Sequence, residues 1–178
     1  MKREDAFRKL RTICRRLDET DPADFFVIPL RLYLFGSVLT EKPNPSDIDL
    51  VFEYRDRPDL DSQVILYRMS YGKPLPYQQA MTYLRRGMQM IRMVDAAESI
   101  EAWRKSSFLL PDDLTILVWE RGMDWQQAVD EVEANPGPWD ADLEKRRKQM
   151  KETALQIEME DGRDAAARWW TEHLDELL

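Results

Sequence analysis

Asp47 and Asp49 stand two residues apart in Ser46-Asp47-Ile48-Asp49-Leu50-Val51-Phe52, a run otherwise rich in branched and aromatic side chains. Such a run predicts a strand. Residues two apart in a strand share a face, so both carboxylates project together while Ile48 and Leu50 turn to the other side. Two carboxylates held side by side repel each other unless a cation lies between them. Mg²⁺ suits such a place, because it takes a few carboxylate oxygens and completes its shell with water and substrate phosphates. A polar hairpin with both acids on a solvated face is the alternative. A hydrophobic strand, however, has little reason to align two acids on one face unless they are paired or bind metal.

Upstream, Leu32-Tyr33-Leu34-Phe35 is apolar and aromatic, reads as a strand, and stops at Gly36. A glycine there lets backbone approach a ligand closely, and a helical turn beginning at Ser37 would aim free N–H groups and a hydroxyl at phosphates. Pro43 and Pro45 prevent a long helix in the link between the two strands. Metal carboxylates beside a phosphate cradle point to phosphoryl or nucleotidyl transfer.

Phe35-Gly36-Ser37, nine residues, then Asp47-Ile48-Asp49-Leu50 resembles the signature of the polymerase-β-type nucleotidyltransferase superfamily. That signature is a hydrophobic residue, Gly, Gly or Ser, a short spacer, then two aspartates alternating with hydrophobic residues. The stretch from Leu32 to Phe52 carries the resemblance, which is greatest to the small minimal nucleotidyltransferases found among bacterial antitoxins. It implies an α/β (α+β) fold, a small mixed β-sheet flanked by helices. It also implies Mg²⁺ held by Asp47 and Asp49, with Gly36 and Ser37 cradling the β- and γ-phosphates of a nucleoside triphosphate, ATP first among them. An acceptor hydroxyl would attack the α-phosphorus and pyrophosphate would leave. By the same resemblance the acceptor is a protein side chain such as a tyrosine of a toxin partner, an RNA end such as that of tRNA, or a small molecule.

In the family a later strand supplies a third carboxylate. Asp95 is the candidate for it here, with Glu98 next, and Asp95 reads equally well as the N-cap of a helix running through Ile100 and Trp103. Relatives also place an arginine just after the Gly-Ser pair, where Val38-Leu39-Thr40 stands. Lys42 is then the nearest cation for a phosphate, and Arg85 and Arg86 are further candidates. Solvated surface is the alternative for each. These departures keep a second function open, a nucleotidyltransferase-like module that has lost its chemistry and binds a partner, as an antitoxin or assembly subunit would.

Around the motif, Ala6, Phe7, Leu10, Ile13, Cys14 and Leu17 repeat at helical spacing and predict a helix over 2–17, with Cys14 in the core. Residues 60–71, capped by Asp59, and 76–86, opened by Pro76 and ended by Gly87, predict two more helices. Met88–Val94 predicts a third strand, Leu114–Trp119 a fourth, and Trp125–Ala134 a short acidic helix. Asn135-Pro136-Gly137-Pro138 is the strongest break, so 1–134 reads as the nucleotidyltransferase-like domain and 135–178 as a C-terminal helical extension. Its helices, 140–160 and 165–178, either cover the sheet or offer Trp169, Trp170, Leu174, Leu177 and Leu178 to a protein partner.

Composition sets bounds. The 178 residues suit one domain with an extension, and 43% hydrophobic against 34% charged residues describes a globular chain able to bury a core. No apolar run is long enough to span a membrane, no signal core follows the amino-terminal Lys2-Arg3-Glu4-Asp5, and the single Cys14 excludes an intrachain disulfide, so a cytoplasmic location is expected. His173 is the only histidine, is expected in solvent, and leaves no Ser-His or Cys-His machinery. A net charge of −8 and a pI near 4.8 argue against a general grip on nucleic acid. They are compatible with a small anionic substrate held through Mg²⁺.

Overall fold

Ala6, Phe7, Leu10, Ile13, Cys14 and Leu17 line one side of α1 (Arg3–Glu19), and none of the six is accessible to solvent. A single face this apolar must be covered, and the sheet covers it. The computed structural model describes residues 1–58, 62–97, 100 and 115–173. Among them, β1 (Val27–Phe35) and β2 (Ile48–Asp56) form the antiparallel centre of a four-stranded mixed sheet ordered β3-β2-β1-β4. β3 (Ile91–Ala97) lies parallel to β2, and β4 (Ile116–Glu120) antiparallel to β1. A parallel pair needs a crossover, and α2 (Ser62–Ser70) and α3 (Pro76–Leu84) make it.

The main core lies on one face, where α1, α3 and α4 (Trp125–Ala134) bury Leu32, Leu34, Ile48, Leu50, Phe52 and Trp119. The other face carries a smaller cluster of Tyr33, Val51, Ala96 and Ile100, flanked by Phe35, Val94 and Leu117. Both faces of the central strands are therefore used, which is why β2 reads as a nearly continuous apolar run after Asp49. Arg11 ties α1 to α4 through Asp130 at 2.6 Å and Glu133 at 2.5 Å.

Cys14 sits in this core, and burial pushes its thiol up to about 12. The native protein at pH 8 should therefore leave an aromatic disulfide reagent unreacted, and one thiol should appear on denaturation. A fast native reaction would place Cys14 at the surface instead.

The C-terminal part folds largely on itself. α5 (Ala141–Asp161) begins at Asp140, whose carboxylate accepts from the amides of Asp142 and Leu143. It packs against α6 (Arg163–Glu172) around Ala154 and Trp170, with Leu143, Met150 and Trp169 at the border. Gly162, at φ 87°, makes the corner. His173 is not in open solvent as expected. Its ring stacks on Trp169 with centroids 4.5 Å apart, and its Nδ1 lies 2.8 Å from the Trp169 carbonyl oxygen. No helix among the described residues is long and apolar enough to cross a membrane.

The third strand begins three residues later than its hydrophobicity suggests. Met90 takes φ 60° and is exposed, so the chain is still turning out of Gly87 (φ 77°) where a strand was expected. The fourth strand runs Ile116–Glu120, and the expected contribution of Leu114 lies outside the described residues, as do Asp59, Glu98, Trp103 and residues 174–178.

Candidate functional site

β1 stays extended through Phe35 and then breaks at Gly36, which takes φ 78°. Residues Gly36–Leu39 form a single 3₁₀ turn that buries Val38 and Leu39. The turn is pinned from behind, because the amide and hydroxyl of Thr40 both donate to the Ser37 carbonyl oxygen, at 3.3 and 2.9 Å. Gly36 is left exposed and Ser37 half-buried.

Across the hairpin, Phe35 pairs with Asp49, so the end of β1 and the second acid meet in register. A Cβ placed on Gly36 would lie 2.7 Å from Asp49 Oδ2. Only a residue without a side chain, free to take a positive φ, allows that approach. Asp47 precedes the strand by one residue, and the Ser46 hydroxyl donates to its Oδ1 at 2.6 Å. Ile48 and Leu50 are fully buried in the main core, which turns Asp47 and Asp49 to the opposite face. Burial, and then the negative charge of Asp47, push the Asp49 carboxyl up to about 6, while Arg92 and Lys151 pull it back. Repulsion between two neighbouring carboxylates is relieved when a cation lies between them.

The donor set matches a hard divalent ion. Asp47 and Asp49 could supply oxygens from one face, and the rest of an octahedral shell would come from water and phosphates. Among the described residues no group of three or more His, Cys, Asp or Glu side chains could hold a metal. The pair can therefore contribute only part of a coordination shell.

Asp95 does not join it. It lies inside β3, in register with Phe52, and its charge acts on Tyr54, whose phenol is pushed up first by burial and then by Asp95. Paired residues of neighbouring strands share a face, so Asp95 lies on the main-core side of the sheet, opposite Asp49. Nor does it cap a helix, because β3 continues to Ala97. The residue that β3 sets beside Asp49 is Arg92, followed on the same face by Val94 and Ala96.

Lys42 is engaged elsewhere. Its Nζ lies 2.5 Å from Glu144 Oε1 on α5, and the Trp139 indole donates to Glu144 Oε2 at 2.8 Å. The Lys42 hydrogen bond and then the Trp139 one hold the Glu144 carboxyl below its usual value. Arg85 donates to the Met81 carbonyl oxygen and lines a recess with Lys73, Gln78 and Thr82 that includes neither acid. The Arg86 carbonyl oxygen accepts from Arg16 of α1, on the main-core side of the sheet. Residues of the site that sequence reasoning missed are Arg92 and Lys151. Arg92 could have been found as the one charge inside an apolar run; Lys151 on a highly charged helix gives no such signal.

The break at 135–138 is stitched to the motif. Thr40 and Gly137 form a parallel bridge, the Glu41 amide donates to the Gly137 carbonyl oxygen at 2.9 Å, and the Gly137 amide to the Leu39 carbonyl oxygen at 2.8 Å. Together with the Lys42–Glu144 pair, this fastens the start of α5 to the link between the Gly-Ser turn and the two aspartates.

No family model matches the chain. No curated protein matches it either. Among solved structures the chain is similar to a protein from Sulfolobus solfataricus, provisionally described as a nucleotidyltransferase, at 17% identity and a TM-score of 0.39, over 67% of this chain and 84% of that one. A likeness that distant carries no weight for function, which is read from the site alone.

Proposed function

We propose that the protein is a Mg²⁺-dependent nucleotidyltransferase that moves a nucleoside monophosphate from a nucleoside triphosphate, ATP first among them, to an acceptor hydroxyl. The observation that carries this reading is the seating of Asp49 Oδ2 against Gly36, with Asp47 on the same face. It joins a close-approach glycine to a strained carboxylate pair at one point, which a solvated hairpin has no reason to do.

In this reading Asp47 and Asp49 would hold the ion, which would supply positive charge to the phosphates. Gly36 leaves room for phosphate oxygens against the turn, and the Ser37 amide and hydroxyl are available to donate to them. The acceptor oxygen forms a bond to the α-phosphorus as the α–β bridging bond breaks. Pyrophosphate leaves with the bridging oxygen, and the hydroxyl proton passes to water. Positioning and charge neutralisation supply the acceleration. The acidic surface favours a protein side chain or small molecule over an RNA end as acceptor. Leu155 and Met159, exposed on α5, are where a protein partner would rest.

A second reading has its own observation. β3 offers no acid on the face of Asp49, and Lys42 is occupied by Glu144, as suits a partner-binding module that has lost its chemistry.

Incubation of the purified protein with Mg²⁺, labelled triphosphates and cell lysate separates the two. Transfer of label with pyrophosphate release, lost by at least ~10³-fold in Asp47→Asn/Asp49→Asn, is expected. No transfer from any triphosphate by the folded protein would leave the binding module.

A further inference from the structure

Building on the nucleotidyltransferase reading, we propose that Arg92 binds the outer phosphates of the triphosphate from the position where a third acid would stand, so that the site takes one divalent ion and not two. Arg92 is the in-register neighbour of Asp49 on β3, and β-strands run about 4.8 Å apart. It is exposed, stands on the face that carries both acids, and makes no ion pair with any described residue. Its guanidinium is close enough for its field to act on Asp49, as does that of Lys151 from α5.

The charge count supports the assignment. Three acids on one face would bring three negative charges, which two divalent ions would offset and one would not. Here Asp47 and Asp49 bring two, which a single divalent ion offsets, and the neighbour of Asp49 on β3 is the cation Arg92. A second divalent ion would find no carboxylate on the Asp49 face of β3 and would be repelled by Arg92. The same guanidinium suits phosphate oxygens, to which it donates two parallel N–H bonds in one plane. The positive charge that a second ion would bring to the departing pyrophosphate is thus built into the strand.

The test is Mn²⁺ bound per chain in equilibrium dialysis with a non-hydrolysable ATP analogue, against analogue alone, together with the analogue's affinity. The native protein should hold one ion per chain. Arg92→Ala should weaken analogue binding about 10–100-fold at unchanged Mn²⁺ stoichiometry, raising KM more than it lowers kcat, and Arg92→Lys should recover part of the loss. Arg92→Asp should raise the count to two ions. Two ions in the native protein, or an affinity untouched by Arg92→Ala while Asp47→Asn/Asp49→Asn abolishes it, overturns the inference and leaves the nucleotidyltransferase reading standing. Failure of the native protein to bind the analogue overturns both.

Discussion

Asp49→Asn should make the metal-free protein more stable at pH 8 while removing its activity. The Asp49 carboxyl titrates near 6 in the folded chain, pushed up from 3.8 chiefly by burial and then by Asp47. Well below pH 3.8 it is protonated in both folded and unfolded states, and no difference arises. Between pH 4 and 6 the folded chain keeps a proton that the unfolded chain has released, so stability falls as pH rises through that window. Above pH 6 the whole cost is present. A pKa of 6 against 3.8 corresponds at most to ~3 kcal/mol. Screening at a half-buried position reduces it to about 1–2 kcal/mol. Urea unfolding in chelator, for both proteins at pH 4 and pH 8, reads it out. The variant's advantage should be full at pH 8 and mostly gone at pH 4. Equal stability at both values would mean that the acid pair carries no strain and offers a cation no reward. With Mg²⁺ and triphosphate the order should reverse at pH 8, since only the native pair gains from binding.

Gly36→Ala should act on both stability and chemistry. A left-handed backbone costs a non-glycine residue about 1–2 kcal/mol, and Gly36 stands at φ 78°. The added methyl would also meet Asp49 Oδ2 at 2.7 Å. Asp49 cannot retreat as a unit, because its backbone is held between Phe35 and Arg92 in the middle of the sheet. Its carboxylate must rotate off its place beside Asp47. A displacement of about 1 Å at a reacting centre costs roughly 10²-fold in rate, and that is the loss expected in nucleotidyl transfer. Gly87→Ala is the control, with φ 77° and nothing within 4 Å of its added methyl. It should lose similar stability and no activity. If the two variants behave alike in transfer, the contact between Gly36 and Asp49 is incidental.

What could be read in advance followed from local rules. The α1 stripe at helical spacing is buried residue for residue, and Trp125–Ala134 forms the short acidic helix expected there. The strand, glycine turn and strand of the motif are where a branched run, a glycine and an alternating acid pair put them. The reading fails where pairing between distant segments decides. Asp95 looked available because it follows an apolar run. Which face it takes depends on β3 meeting β2 at Asp49↔Arg92 and Phe52↔Asp95, and neither strand's own pattern contains that register. Lys42 looked like a free loop cation because its partner, Glu144, lies on a helix whose charges give no hint of which one turns inward.

The order of the strands has a consequence for how the chain is made. β1 is central, and its second neighbour is β4, with Leu32 set against Trp119. α1 likewise closes onto α4 through Arg11. Earlier elements are thus completed by much later ones. At ~5–20 residues per second, β1 waits roughly 4–17 s after its own synthesis with one edge open. During that interval the hairpin of β1 and β2 has its paired side made and its other side bare, an edge that a second nascent chain can occupy. Slow translation between Ala97 and Ile116 would lengthen that exposure.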